Sequence, residues 1–255
     1  MSDLWRTGFG LQPFFAISET VWKRVLDPVM QMVLLCGSGV SFLLGLNMEG
    51  TEKDIRLGLA LVHTFVCLVI ILSGTTEIPR DLANRNVQFF LSKPLSRGGY
   101  LFGKFLGIFL FGAILFVAYV SSFFLGNFWN SSWDGKCFLI CFLQLGLLLG
   151  TLSAILVGIS VLVPEVAATV FGMSFYFASF MVFILPAMIK MFFPKLLQPV
   201  FAIGYFILPN WQHYLWSLDK VPLGSFFAVL ILYNLSYCCA CLLVADFCFR
   251  KRDLN

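Results

Sequence analysis

Six long apolar runs, separated by short polar breaks, constrain this sequence more than any other feature. A helix needs about 20 predominantly apolar residues to cross a bilayer, and it satisfies its own backbone hydrogen bonds there. Hydrophobic residues make up 60% of the chain and charged residues 12%, whereas soluble domains are roughly 45–50% apolar and about 25% charged. We therefore predict an all-α membrane protein with one transmembrane domain. Its predicted spans are Pro28–Asn47, Ile55–Gly74, Tyr100–Leu125, Cys137–Val163, Val166–Ile189 and Pro222–Phe249.

Two further segments predict helices that do not cross the bilayer. Residues 1–27 lack the continuous apolar core of a signal peptide, and their apolar side chains recur at near-helical spacing. This pattern predicts an interfacial helix, although an ordinary lead-in to the first span fits it equally well. Residues 190–221 contain Pro194, Pro199 and Gly204, and they predict a re-entrant segment between the last two spans.

The basic residues near the span ends predict the orientation. If the N-terminus is cytoplasmic, 11 of the 17 Lys and Arg residues fall on the cytoplasmic side, where such residues are enriched. We therefore expect a multi-pass protein of the cell inner membrane with both termini cytoplasmic. The basic residues are dispersed among the span ends, and this distribution does not indicate a nucleic-acid surface.

Few residues are available for chemistry. The chain has two His and eight Cys, and no HExxH or GxSxG pattern occurs in it. A membrane-embedded enzyme needs clustered His, Asp, Glu or Cys at membrane depth, so a transferase or protease is the less favoured alternative. No metal site and no cofactor are expected in this chain.

The segment Thr75–Lys104 is the one long polar interruption on the predicted cytoplasmic side. Thr76 can cap a new helix whose first turn holds Glu77 and Asp81. Residues 92–99 then form a break before the third span. The pattern therefore predicts a separate cytoplasmic segment at residues 75–99.

Several motifs in and beyond this segment resemble one family. Leu91–Arg97 reads Leu-Ser-Lys-Pro-Leu-Ser-Arg, and Tyr100–Lys104 opens the next span with Tyr-Leu-Phe-Gly-Lys. Leu208–Asn210 precedes the last span, and Phe249–Leu254 closes the chain. Together these motifs resemble the permeases of type-2 ABC exporters. The topology resembles that family over the whole chain, and the specific motifs cover about a fifth of it.

The resemblance implies a permease without ATPase activity of its own. Such a permease pairs with a second permease copy or homologue and with separate nucleotide-binding ATPase subunits, which carry the ATP and Mg. The loop between the second and third spans forms a coupling helix docked on the ATPase. Membrane lipid surrounds the spans. An assembly or anchor subunit of an envelope machine with the same fold is the alternative.

The resemblance also assigns candidate coupling residues. Charged side chains could form ion pairs with the ATPase, and apolar ones could fill its groove. A solvated loop whose charges only orient the protein is the competing interpretation. The candidates are Glu77, Arg80, Asp81, Arg85, Phe89, Phe90, Leu91, Pro94 and Arg97.

Polar side chains within the spans are candidates for a cargo pathway, because such groups are costly in lipid. The candidate pathway residues are Gln31, His63 and Gln144. A single buried His is, however, more often a packed core residue than a reactive one. The Phe-rich spans favour a lipid-like or amphipathic cargo over a small ion. Glu165 is expected at a helix N-terminus, and Asp246 is expected to face headgroups or to pair with residues 250–252. Small residues along the fourth span predict close helix packing there.

Overall fold

A computed structural model describes residues 27–47, 52–84, 96–128, 135–181 and 223–251. These residues form α-helices and no strand. The helices are α1 (Pro28–Asn47), α2 (Glu52–Ala83), α3 (Arg97–Asn127), α4 (Gly135–Leu162), α5 (Glu165–Met181) and α6 (Leu223–Arg250). The predicted interfacial helix, apart from Asp27, and the predicted re-entrant segment lie outside the described residues.

The helices agree with an all-α membrane protein. Among the described residues, five helices are long and apolar enough to cross a bilayer, namely α1, α2, α3, α4 and α6. The described part of α5 has 17 residues, which at 1.5 Å per residue is about 25 Å, less than the ~30 Å hydrocarbon core. The rest of the predicted fifth span lies outside the described residues.

The bundle is built around α2, α3 and α4. Helix α4 packs against α2, α3, α5 and α6, while α1 packs mainly against α3. The core consists of aliphatic and aromatic side chains, including Ile70, Phe116 and Leu152. Large apolar side chains such as Met32, Val166 and Leu243 are exposed on the outer faces. This arrangement is typical of a bundle that uses lipid as part of its solvent.

Helices α1 and α3 approach each other closely through glycines. Gly45 faces Gly126, and a Cβ atom at Gly45 would overlap the carbonyl oxygen of Phe123. Further along the same pair, the Tyr119 hydroxyl donates to the Val33 carbonyl oxygen at 2.9 Å. Of the small residues in the fourth span, Gly146 faces open space, whereas a Cβ atom at Gly150 would lie 3.6 Å from the Phe109 ring of α3.

Helix α2 continues through the segment that was predicted to be separate. It runs without a break from Glu52 to Ala83, so the predicted helix start at Thr76 was wrong. The Thr76 hydroxyl donates to the Ser73 carbonyl oxygen at 2.8 Å, as a side chain within a helix does. Glu77 and Asp81 therefore belong to the last turns of the second span's own helix.

Pro79 lies inside α2 and has no N–H to donate to the carbonyl of Thr75. The Ser160 hydroxyl of α4 lies 3.4 Å from that carbonyl oxygen and 2.6 Å from the Leu156 carbonyl oxygen. A hydroxyl of a neighbouring helix is one of the groups that make proline tolerable in a membrane helix. Packing against α4 thus helps to keep α2 helical beyond the proline.

Candidate functional site

Asp54 and Arg56 lie near the start of α2, but most of the described charged side chains lie at the opposite end of the bundle. This end, which we call the charged end, carries Glu77, Asp81, Arg97, Lys104 and Glu165. Helices α2 and α6 end there, and α3 and α5 begin there. The side chains form one buried cluster and two contacts nearer the surface.

The buried cluster joins the end of α2 to the start of α3. The Lys104 ammonium lies 2.7 Å from Oδ2 of Asp81 and 3.3 Å from Oε2 of Glu77. The Tyr100 hydroxyl donates to Oδ2 of Asp81 at 3.0 Å. Relative exposure is 1% for Lys104, 2% for Asp81 and 6% for Glu77. Three ionisable groups are thus almost entirely removed from solvent.

The cluster depends above all on Lys104, which is the cation for both carboxylates. Removing a charge from water costs several kcal/mol, and only a close partner with good hydrogen bonds offsets that cost. One ammonium here faces two carboxylates, and the Tyr100 hydroxyl supplies a further donor to one of them. Removing Lys104 would leave two buried carboxylates without their ammonium, whereas removing Glu77 would leave Lys104 paired with Asp81.

A second contact joins α2 to the start of α5. Nε and Nη2 of Arg80 donate to Oε1 of Glu165 at 3.0 and 2.8 Å. Glu165 lies in the first turn of α5, as expected, where a negative charge is favourable. The two side chains are 53% and 38% exposed, so this pair is well solvated.

We expect Arg80→Gln to lower the free energy of unfolding by less than about 1 kcal/mol, because exposed ion pairs contribute little. Chemical unfolding of the purified chain in detergent would measure this, with Glu165→Gln as the matched variant. A loss of several kcal/mol in either variant would show that the pair is not the weak contact its exposure indicates.

The third contact joins the start of α3 to the end of α6. Nη1 of Arg97 donates to the carbonyl oxygens of Phe249 and Arg250 at 3.2 and 2.9 Å. Carbonyls in the last turn of a helix have no partner within it, and Arg97 supplies one. The Tyr100 ring also stacks on Phe249, with ring centroids 5.8 Å apart. Arg97 therefore caps α6.

Backbone capping also fixes where α3 begins. The Ser96 side chain accepts a hydrogen bond from the Gly99 N–H at 3.0 Å, as an N-cap residue does. At the end of α6, Asp246 pairs with Arg250 at 2.7 Å, which confirms the pairing expected for Asp246.

The charged end therefore connects four helices through side chains. Asp81 and Glu77 join α2 to α3, Arg80 joins α2 to α5, and Arg97 joins α3 to α6. Residues 85–95, which connect α2 to α3 in the chain, lie outside the described residues.

The predicted coupling residues fall into three groups. Glu77 and Asp81 are buried against Lys104, so the expectation that they face a soluble partner from a loop was wrong. Arg80 and Arg97 lie at the charged end and bind other helices of this chain. The remaining candidates, Arg85, Phe89, Phe90, Leu91 and Pro94, lie outside the described residues.

Of the three pathway candidates, two are buried. His63 is 4% exposed, packs edge-on against Phe116, and its ring Nε2 lies 3.5 Å from Sγ of Cys67. Gln144 is fully buried, and in the part of the chain that the structure describes its amide oxygen and nitrogen have no hydrogen-bond partner. Gln31 lies on the exposed face of α1. The three side chains therefore do not form one site.

Sequence reasoning missed the role of Lys104. It was counted among the basic residues that set orientation, although it is buried. The available signal was a lysine one turn after Tyr100 at the start of an apolar span, together with acids at 77 and 81, which share a helix face. Among the described residues, no group of three or more His, Cys, Asp or Glu could hold a metal ion.

Comparison with known protein families gives one match. Residues 16–254 match the model of a family described as ABC-2 family transporter protein. A search of curated proteins found no match. The family match covers all six described helices and the connection between α2 and α3.

Proposed function

The chain belongs to the ABC-2 transporter family and is a membrane permease component of an ABC transporter, and we propose that it works as the permease of an ATP-driven exporter. A separate ATPase supplies the energy. Cargo crosses the bilayer as the spans alternate between conformations. ATP and Mg bind in the ATPase and not in this chain.

The observation that carries this proposal is that the charged end holds together the ends of α2 and α3, the two helices that residues 85–95 connect in the chain. Asp81 and Lys104 pair at 2.7 Å, and Arg97 caps α6. These contacts give the ends of α2 and α3 a defined arrangement and tie them to α5 and α6. A partner that moves residues 85–95 can therefore move four helices, which is what an ATPase must do to a permease.

Residues 85–95 also carry suitable chemistry for the ATPase contact. Arg85 offers a positive charge, and Phe89, Phe90 and Leu91 offer apolar anchors of the kind that dominate protein interfaces. Pro94 restricts the chain before α3 begins. With Glu77 and Asp81 buried, we assign docking to these residues and to Arg80, and we assign Glu77 and Asp81 to positioning.

The proposal also includes an orientation in the membrane and a set of partner subunits. The excess of Lys and Arg on the side that includes the charged end supports a cytoplasmic location for that end and for both termini. The partners are two nucleotide-binding ATPase subunits and a second permease copy or homologue, in the cell inner membrane. A lipid-like or amphipathic cargo fits the Phe-rich spans better than a small ion does.

An anchor subunit with the same fold is the second candidate. It would bind an ATPase without moving cargo, and its presence would not change the rate of ATP hydrolysis. ATP hydrolysis that rises when the permease is added to the ATPase in vesicles favours transport. An unchanged rate, with the two proteins bound to each other, favours the anchor.

The test of docking changes Arg85 to Glu and Phe90 to Ala in a tagged full-length chain. We expect ATPase activity to copurify with the unchanged chain and to fall at least about tenfold in the double variant, because loss of an anchor of about 1.4 kcal/mol or more weakens binding by that factor. The control is Leu61→Ala, an exposed apolar residue in the membrane part of α2.

Two results would contradict the proposal. One is a folded chain that copurifies with no ATPase activity, and the other is a double variant that retains as much activity as the Leu61→Ala control. Substitution of Glu77 by Lys is a poor test, because it places a second ammonium beside Lys104 and disturbs the fold itself.

A further inference from the structure

The Arg80–Glu165 pair, which joins the end of α2 to the start of α5, uses only part of each side chain. Nε and Nη2 of Arg80 both donate to Oε1 of Glu165, at 3.0 and 2.8 Å. A guanidinium binds a carboxylate most strongly when two N–H groups meet two oxygens, whereas Nη1 of Arg80 and Oε2 of Glu165 take no part in this pair. The two side chains are 53% and 38% exposed, so another acid can reach Arg80.

Helix α5 has no second ion pair to replace this one. Its described span, Glu165–Met181, contains no Asp, Glu, Lys or Arg other than Glu165. Helix α3 is held differently, because its contact with α2 is the buried cluster of Lys104 with Glu77 and Asp81. Loss of the Arg80 contact would therefore leave the described part of α5 without an ion pair and would leave α3 joined to α2.

Further into the bundle, α5 contacts α2 through two threonine hydroxyls. Oγ1 of Thr75 lies 2.8 Å from Oγ1 of Thr169. Each hydroxyl also lies within hydrogen-bond distance of a carbonyl oxygen of its own helix, at 2.6 Å for Thr75 and 3.1 Å for Thr169. A hydroxyl has one proton to donate, so two protons serve three contacts. If the helices separate here, each threonine can still donate to its own helix, and neither proton loses its acceptor.

Helix α5 is held more firmly one turn beyond these hydroxyls. At Gly172 its backbone packs so closely that a Cβ atom would lie 3.0 Å from the Leu156 side chain of α4 and 3.2 Å from the Ile71 side chain of α2. The Tyr176 hydroxyl then donates to Oγ1 of Thr64 at 3.1 Å, and Tyr176 is 3% exposed. Separating a buried donor from its acceptor is costly. Helix α5 is therefore fixed near Tyr176, about 16 Å from Glu165 along the helix, and is weakly held at Glu165.

We propose that Arg80 exchanges Glu165 for a carboxylate of the ATPase, and that this exchange releases the first turns of α5 to pivot about Tyr176 while α2 and α3 stay joined. The inference rests on the proposed function, and it adds the chemistry of the ATPase contact and the helix that responds to it. The partner group is an acid because a guanidinium offers donors and no acceptor. An exposed ion pair is weak enough for such an exchange, and small displacements of packed helices are a common form of conformational change.

The first experiment compares Arg80→Gln with Glu165→Gln in the full-length chain. The ATPase that copurifies with the unchanged chain is titrated onto each variant in vesicles, and its half-saturating concentration is read from ATP hydrolysis. We expect Glu165→Gln to lower that concentration by up to about fivefold, the range that an exposed ion pair allows, because Arg80 no longer has a competing acid. Arg80→Gln should raise it. Both variants remove the same contact between α2 and α5, so a contact that only supports the fold would shift both in the same direction.

Asp246→Asn is the control for general charge. It removes another acid at the charged end, one that pairs with Arg250 at 2.7 Å. We expect it to leave the half-saturating concentration unchanged. A decrease equal to that of Glu165→Gln would mean that any lost acid strengthens ATPase binding.

The second experiment locks α5 to α2 with a disulfide. Thr75→Cys with Thr169→Cys replaces the two hydroxyls that lie 2.8 Å apart, and peptide mass spectrometry confirms the bond after oxidation. We expect the oxidised chain still to bind the ATPase but to stimulate its hydrolysis no longer, and reduction should restore the stimulation. The matched control is Gly74→Cys with Ile108→Cys, which joins α2 to α3 where a Cβ atom at Gly74 would lie 3.1 Å from the Ile108 side chain. Stimulation by the oxidised control should be unchanged.

Three results would overturn the inference while leaving the proposed function intact. They are a shift in the same direction for Arg80→Gln and Glu165→Gln, a decrease for Asp246→Asn equal to that for Glu165→Gln, and full stimulation of hydrolysis by the chain with α5 locked to α2. Loss of stimulation in both disulfide variants would also count against a specific role for α5. Absence of ATPase from the unchanged chain is a different outcome, because it contradicts the proposed function and this inference with it.

Discussion

Lys104→Met is expected to destabilise the protein by about 3–5 kcal/mol, the usual cost of breaking a buried ion pair by removing one partner. Met fills nearly the same space as the lysine stem, so the effect comes from charge and not from a cavity. The substitution leaves the Glu77 and Asp81 carboxylates buried without the ammonium that lies 3.3 and 2.7 Å from them. Chemical unfolding of the purified chain in detergent measures the loss.

A rescue variant separates charge from other effects. Lys104→Met combined with Glu77→Gln and Asp81→Asn removes all three charges, and Asn can still accept the hydrogen bond from Tyr100. We expect this triple variant to recover most of the lost stability, because replacing a whole buried ionic group costs far less than breaking it. Arg80→Gln serves as the exposed control.

Two results would contradict the proposed role of charge in the buried cluster. If Lys104→Met unfolds at the same denaturant concentration as the unchanged chain, the buried cluster does not hold α2 to α3. If Lys104→Met is destabilised but the triple variant is no better, the lysine contributes through packing rather than through its charge.

Gly45→Val is expected to have the next largest effect, a loss of about 2–3 kcal/mol or failure to assemble the bundle. A Cβ atom there would overlap a backbone carbonyl oxygen of α3, and backbone cannot rotate away as a flexible side chain can. Overpacking of a well-filled interface typically costs 1–3 kcal/mol, and close backbone approach is a main source of helix association in membranes. The fraction of chain that elutes as folded protein in detergent and its thermal unfolding midpoint measure the effect.

Gly39→Val is the control on the same helix, because a Cβ atom at Gly39 has no neighbour within 4 Å. Both substitutions place the same β-branched residue in α1, so the difference between them isolates the contact with α3. Equal stability of the two variants would mean that α1 does not need this approach to α3.

The apolar runs predicted most of the architecture. Pro28–Asn47 is α1 with the same bounds, and the predicted third, fourth and sixth spans match α3, α4 and α6 to within a few residues. Long runs of this kind have few alternatives in lipid, because the backbone must bond to itself. The packing partners were less predictable, since glycine spacing does not reveal which neighbour a glycine meets.

The end of α2 shows why the polar segment was misjudged. Thr75, Thr76, Glu77 and Pro79 together resemble a helix break, and each alone is unfavourable inside a span. In the structure the Thr hydroxyls donate to carbonyls one turn back, at 2.6 and 2.8 Å, and Glu77 finds Lys104 from the next helix. Contacts between distant residues make the polar sequence compatible with a helix, and a single sequence does not display them.

The most direct test of the central claim is photo-crosslinking from residue 90. A benzoylphenylalanine in place of Phe90 in the full-length chain is irradiated in its native membrane, and the adduct is identified by peptide mass spectrometry. Phe171, exposed on α5 within the membrane, is the control position. We predict that position 90 and not position 171 captures a protein containing a Walker A sequence. Capture of no such protein from position 90, or equal capture from both positions, would contradict the proposed ATPase docking.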